Sequence, residues 1–147
     1  MLSIQDQLFP SLTCFGCGPA NTQGLQIKSY ATPEGVTGIF VPRPEHDNGL
    51  GVLNGGIVAT LLDCHGGAAV MWHDFELSGE RDRIWVTAGL DIRYRRPSPL
   101  DRECGLRAEL LEVEESEMRV RTEVLDDGRV CAIGEARWVK PRTRSAR

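Results

Sequence analysis

A single carboxylate, Asp63, interrupts the most apolar stretch of the sequence, which runs from Ile57 to Trp72. An ionised carboxylate in such surroundings is costly unless it is paired, hydrated or functional. Burial is expected to raise its pKa, which makes it a better base near neutral pH. Asp63 is therefore a candidate base, unless it faces a solvent gap or makes a core hydrogen bond.

The tripeptide Asn54-Gly55-Gly56 precedes the same stretch and is placed at the start of a helix. The first turn of a helix has unpaired N–H groups and a partial positive charge, which suit a carbonyl oxygen that gains negative charge. Glycine leaves room for a substrate to approach that backbone. Asn54 can donate from its amide, but it cannot shuttle a proton as histidine can. These groups suit chemistry at a carbonyl carbon.

Two cysteine-containing patterns are weaker candidates. Cys14-x-x-Cys17 has no second such pair and no nearby histidine pair, so it is interpreted as a packing and turn motif and no metal is predicted. Cys64 and His65 follow Asp63 directly, but consecutive helical residues point about 100° apart and cannot converge on one substrate atom. His65 is predicted to be a core or interface histidine.

The helix that must position these groups is predicted from Gly55 or Gly56 to about Trp72, apolar on nearly all sides. Its Gly66-Gly67 pair weakens an isolated helix but permits close approach of another backbone. Residues 73–83 are polar and predict a connection.

The strands follow from alternation and turn residues. Strands at 24–31 and 36–41 flank a turn, and strict alternation of apolar and polar residues predicts another strand after the helix. Three more are predicted at 103–113, 118–125 and 129–139, the last two joined by Asp126-Asp127-Gly128. Two strands, one buried helix and four strands predict an α+β domain in which an antiparallel sheet wraps one central helix.

We expect residues 1–147 to form this single domain. Residues 1–23 are an N-terminal extension with a short helix and the CxxC loop, and residues 140–147 are a flexible basic tail. The net charge of -4 argues against nucleic acid as a partner. The apolar stretch is too short and polar to span a membrane. With no leader pattern and five scattered cysteines, a cytoplasmic protein is expected.

Three motifs resemble those of one known family. They are residues 14–21 (CFGCGPAN) with Gly24-Leu25 following, residues 49–63 (GLGVLNGGIVATLLD) and residues 87–97 (TAGLDIRYRRP). In this order they resemble the hotdog-fold thioesterases, specifically the PaaI-like acyl-CoA thioesterases. There is one departure: Asn54 replaces the histidine that the family usually has before the two glycines.

The resemblance implies roles for particular residues. Asp63 would be the general base or nucleophile, acting on substrate held at the helix start of a partner subunit, where the Gly55 N–H polarises the thioester carbonyl. Asn48 would orient water or thioester, although its Asp-Asn-Gly context equally fits a turn. Thr87 would place a hydroxyl beside the acid, or serve only strand propensity. The residues expected to bind substrate are Gly56, Arg93, Arg95 and Arg96, where the arginines suit CoA phosphates unless they are a solvated strand face.

The implied assembly is a homodimer or a dimer of dimers, with no cofactor because CoA is part of the substrate. Two other functions remain open. One is a non-catalytic acyl-CoA binder or regulator that has lost turnover through Asn54. The other, which ranks last, is a hydratase or dehydratase, which needs a catalytic histidine that only His46 could supply.

Overall fold

One sheet of six antiparallel strands wraps a single long helix in the computed structural model, which describes residues 1–141. The elements, in chain order, are α1 (Ile4–Leu8), β1 (Tyr30–Thr32), β2 (Gly35–Phe40), a 3-10 turn (Pro44–His46), α2 (Gly55–Ser78), β3 (Val86–Tyr94), β4 (Cys104–Val113), β5 (Glu117–Asp126) and β6 (Arg129–Val139). The strands are ordered β1-β2-β4-β5-β6-β3. The predicted α+β hotdog architecture is confirmed.

The core lies between α2 and the concave face of the sheet. Val58, Leu61 and Leu62 bury the first half of the helix, and Val70 and Met71 bury the second half. Because the helix is apolar on most sides, it needs this wrapping sheet. No helix in residues 1–141 is both long and apolar enough to cross a membrane.

The Gly66-Gly67 pair makes the close approach possible, but side chains rather than a backbone fill the space. A methyl group on Gly67 would overlap the ring of Trp138, and one on Gly66 would lie 2.8 Å from the hydroxyl of Thr122. The helix therefore packs directly on β5 and β6 at this point.

The helix ends six residues later than predicted, at Ser78 instead of Trp72. The polar residue Asp74 is buried and forms a salt bridge of 2.9 Å with Arg83, so it does not end the helix. Gly79 adopts a left-handed conformation with φ of 69° and donates its N–H to the carbonyl of Phe75. A glycine in this conformation is a common helix terminator.

The strand predicted at 24–31 is wrong for most of its length, since only its end belongs to β1. Gln26 has a positive φ of 57°, which interrupts the extended run. The N–H groups of Leu25 and Ile27 instead bond to the carbonyls of Phe15 and Gly16. This segment therefore pairs with the cysteine loop.

The last three strands match their predicted ranges to within a residue at each end, and the turn at Asp127 and Gly128 has positive φ at both residues, as such hairpins require. Lys140, the first residue of the predicted tail, donates its N–H to Ser116. The rest of that prediction, 142–147, lies outside the described residues.

Candidate active site

The start of α2 is organised by Asn54, which is its N-cap. The Oδ1 atom of Asn54 accepts from the N–H of Gly56 at 2.8 Å and of Ile57 at 3.3 Å. Asparagine is among the best residues for this position. The side chain that replaces the family's histidine thus stabilises the helix start, and its Nδ2 donors stay free of protein acceptors within residues 1–141.

The N–H of Gly55 is the open donor of this site, because no oxygen of residues 1–141 accepts from it. The carbonyl of the same residue accepts from the hydroxyl of Tyr94 at 2.8 Å, which ties the helix start to the end of β3. Tyr94 was not among the predicted site residues. Tyr94 could have been predicted from the alternating pattern of β3, which places it on the same face as Leu90 and Ile92.

Gly56, predicted to bind substrate, also takes part in the helix cap through its N–H, which donates to Asn54 Oδ1. A methyl group there would lie 3.0 Å from Asn54 Oδ1. The absent side chain at this residue therefore serves the cap geometry as well as access to Gly55.

Asp63 and Thr87 are in direct contact. The Thr87 hydroxyl donates to Asp63 Oδ1 at 2.6 Å. Simple alternation would have put Thr87 on the opposite face of β3 from Leu90. A register shift between Thr87 and Gly89 against β6 inserts one extra residue and turns Thr87 toward the helix. Such bulges re-aim side chains near functional sites.

The pKa of Asp63 is raised above its ordinary value. Burial of the half-buried carboxylate is the largest cause, and the negative charge of Cys14 adds to it. The hydrogen bond from Thr87 acts in the opposite sense and favours the charged form. Asp63 is therefore a carboxylate held in one orientation and strengthened as a base.

The two halves of the site are far apart within one chain. Gly55 and Asp63 are eight residues apart in one helix, which is about 12 Å along its axis. One chain cannot place its own Asp63 on a carbonyl bound at its own Gly55.

Asn48 forms a turn. Its Oδ1 accepts from the N–H of Leu50 at 2.8 Å, and its own N–H bonds to Val52. This is the turn geometry that the sequence offered as the alternative to a catalytic role. His46 is buried, with its ring stacked on Phe40 and its Nδ1 accepting from a backbone N–H. It is a structural histidine of the loop.

The three arginines are exposed and make no salt bridge within residues 1–141. Arg93 and Arg95 line one cavity on the outer face of the sheet, beside Arg121 and two carboxylates, Asp91 and Glu135. Arg96 lies beyond the end of β3 and does not line this cavity.

Asp63, Cys64 and His65 point in three directions, as predicted. Asp63 reaches β3, whereas His65 is fully buried on the other side, bonded to the Ser29 hydroxyl at 2.8 Å and the Val36 carbonyl at 3.1 Å. Burial lowers the pKa of His65 to about 4, so it is a neutral core residue. Cys64 lies 3.8 Å from the sulfur of Cys14, a proximity that the sequence prediction missed.

A family model of the thioesterase superfamily matches residues 50–133, and the chain belongs to that family. A solved thioesterase superfamily protein from Shewanella loihica PV-4 is 30% identical, with 84% of this chain and 98% of that chain covered and a TM-score of 0.67. Among curated proteins, none has significant sequence similarity to this chain.

Two further solved structures share the fold. A phenylacetic acid degradation-related protein from Ralstonia eutropha JMP134 is 21% identical, with 82% of this chain and 89% of that chain covered and a TM-score of 0.69. A protein from Bacillus halodurans, solved with CoA, is 24% identical, with 82% and 77% covered and a TM-score of 0.67. The family and the site together indicate a thioester hydrolase.

Proposed function

We propose that this chain hydrolyses acyl-CoA thioesters to a free acid and CoA. The observation that carries the proposal is the presence on one helix of a positioned carboxylate and an unoccupied N–H donor. A half-buried carboxylate, Asp63, is held by Thr87 at 2.6 Å, and the Gly55 N–H at the start of the same helix has no acceptor within residues 1–141. The first is a base or nucleophile, and the second is a donor for a developing oxyanion.

In this mechanism the thioester carbonyl accepts from the Gly55 N–H, and the free Nδ2 of Asn54 is a second donor. Asp63 either removes a proton from the water that attacks the carbonyl carbon, or attacks that carbon itself to form an anhydride that water then hydrolyses. Both roles need a carboxylate at the same place. The C–S bond then breaks, and CoA leaves as a thiolate that takes up a proton. The positive end of the α2 dipole stabilises the oxyanion throughout.

The active unit in this proposal is a homodimer with two shared sites. The separation of about 12 Å between Gly55 and Asp63 along α2 requires the carboxylate and the donor to come from different chains. β3 is an edge strand of nine residues, and within residues 1–141 it pairs only with β6. An exposed edge of this length can pair with a second copy, and a two-fold axis would build both sites at once.

CoA is the proposed thiol component. Support comes from the relative of Bacillus halodurans solved with CoA and from the exposed arginines at the end of β3 and just beyond it. Salt-bridge partners within residues 1–141 are absent for Arg93, Arg95 and Arg96. Their guanidinium groups can therefore bind the diphosphate and the ribose phosphate of CoA. Asp91 and Glu135 beside two of them keep the site only weakly positive.

One observation favours the second candidate, a non-catalytic acyl-CoA binder. The side-chain oxygen of Asn54 accepts the hydrogen bonds of the helix cap. Unlike histidine, Asn54 cannot carry a proton to the leaving group. Without the usual histidine, the pocket would then bind acyl-CoA but not hydrolyse it.

The test is release of free CoA from short-chain, medium-chain, long-chain and aryl CoA thioesters by the wild type and by Asp63→Asn. Glu76→Gln, an exposed carboxylate on the same helix, is the matched control. Hydrolysis requires turnover that is lost in Asp63→Asn, retained in Glu76→Gln, and accompanied by unchanged CoA-ester binding. Binding without turnover in all three proteins would establish the binder instead.

A further inference from the structure

Three cysteine sulfurs converge where the N-terminal loop meets α2. Cys14 and Cys17 come from the loop, and Cys64 comes from the helix. Their Sγ atoms all lie within 4.8 Å of one another, and those of Cys14 and Cys64 are 3.8 Å apart. Cys17 and Cys64 are buried, whereas Cys14 is partly exposed. The CxxC motif thus has a third sulfur beside it that the sequence did not reveal.

The loop is fixed in this position by its backbone. The N–H of Gly18 bonds to the carbonyl of Cys14 at 2.9 Å, and the carbonyl of Gly16 accepts from Ile27 at 3.0 Å. A methyl group on Gly16 would overlap the sulfur of Cys64, so only glycine allows the loop to approach the helix this closely.

The side chain of Gln26, in the segment that follows the loop, also holds the loop in place. The amide of Gln26 donates to the carbonyl of Gly18 at 2.9 Å and to that of Asn21 at 2.6 Å. Gln26 itself has a left-handed backbone conformation, with φ of 57°. The three sulfurs are therefore held together before any ligand arrives.

The geometry points to a thiolate site for Zn²⁺ formed by Cys14, Cys17 and Cys64, and we propose that this chain binds one zinc ion there. A tetrahedral Zn²⁺ with Zn–S bonds of about 2.3 Å separates its sulfur ligands by about 3.8 Å, which is the distance between Cys14 and Cys64. Thiolates select such a metal over Mg²⁺ or Ca²⁺, which prefer oxygen. Three protein ligands leave one position for water or another small ligand.

The zinc joins the N-terminal loop to α2 at the residue that follows Asp63. The bound zinc cross-links this loop to the helix beside the candidate active site. Zinc that binds the folded chain in preference to the unfolded one raises the thermal midpoint. The site does not depend on the proposed thioesterase activity.

The test uses the full-length protein, reduced and treated with chelator, then titrated with Zn²⁺ against a chromophoric chelator. We expect one Zn²⁺ per chain with a Kd below about 0.1 µM, the weak end for thiolate zinc sites. Co²⁺ in its place should give the intense near-ultraviolet absorption of thiolate-to-cobalt charge transfer. Neither measurement involves a CoA ester, so the result is independent of turnover.

Variants identify the ligands. Cys14→Ser and Cys64→Ser should each weaken zinc binding by more than about 100-fold, since even outer partners of metal ligands cost up to that much. Cys14 is partly exposed, so its replacement should leave the fold intact by circular dichroism. Cys104→Ser, a buried thiol on β4 outside the cluster, is the control and should bind as the wild type does.

Zinc binding that is weaker than about 1 µM, or equal in Cys14→Ser and Cys104→Ser, would overturn the proposal. So would a Cys14–Cys64 disulfide in protein isolated without reductant, if the reduced protein then binds no zinc. That outcome would identify the pair as a redox couple.

Discussion

At the scale of single residues, the hydrogen bond from Thr87 determines how Asp63 is presented. The hydroxyl donates at 2.6 Å and favours the charged form of the carboxylate. Thr87→Val should therefore lower kcat by about tenfold while KM stays the same, the scale of one hydrogen bond to a charged group. Thr87→Ser keeps the hydroxyl and should retain most of the rate. Equal losses in both variants would show that the methyl group, and not the hydroxyl, is what matters.

Asn54 has a role at the same scale that stability measurements can isolate. Asn54→Ala removes the acceptor for two N–H groups at the start of α2 and should lower the free energy of unfolding by about 1 kcal/mol. Asn54→Asp keeps an acceptor oxygen and should unfold at nearly the wild-type urea concentration. An alanine variant as stable as the wild type would contradict the cap.

His65 gives the fold a defined response to acid. Its folded pKa of about 4 lies below the ordinary value of 6.5 because the ring is buried. A depressed pKa stabilises the fold above about pH 6.5, and this contribution is lost as the pH falls through 4. The full loss is on the order of 3 kcal/mol. Urea unfolding at pH 7 and pH 4.5, with chelator present, should show a smaller decrease for His65→Gln than for the wild type.

At the scale of elements, the contact between α2 and β6 depends on Gly67. A methyl group there would overlap the Trp138 ring, so Gly67→Ala should cost about 1–3 kcal/mol of stability despite the better helix propensity of alanine. Gly89→Ala on β3 is the control, because nothing lies within 4 Å of its added methyl group. Urea unfolding that leaves both variants equally stable would mean that α2 is free to shift away from the sheet.

Local sequence signals predicted the strongly patterned elements. The alternation that begins at Val86 predicted the strand β3 after the helix, and the Asp-Asp-Gly turn predicted the hairpin of β5 and β6. Elements whose bounds depend on distant contacts were less predictable. Asp74 stays helical because Arg83 pairs with it, and no local pattern shows that partnership.

The residues of the candidate site also fall into those that local sequence features predict and those that depend on distant contacts. The sequence indicated Asp63 and the helix start, because a carboxylate in an apolar helix and paired glycines are local features. It did not show the bulge that turns Thr87 inward, the bond from Tyr94 to Gly55, or the approach of Cys64 to Cys14. Each of these depends on the register or packing of segments far apart in the chain.

At the scale of the whole molecule, each proposed active site requires two chains. Two variants separate the halves. Asp63→Asn removes the carboxylate, and Gly55→Pro removes the N–H donor and fills the space that glycine leaves for the substrate. Proline is well tolerated at the first helical position, and Asn54 already has the extended φ of -57° and ψ of 134° that a following proline requires. Each variant alone should fold as a dimer and release no CoA.

The most direct test is CoA release by the two variants co-expressed and purified together through different tags. A mixed dimer has one site that combines the intact Asp63 of one chain with the intact Gly55 of the other. Random pairing should therefore restore about a quarter of the wild-type rate, and purified mixed dimers about half. No activity in mixed dimers, alongside an active wild type, would contradict the shared site and with it the proposed mechanism.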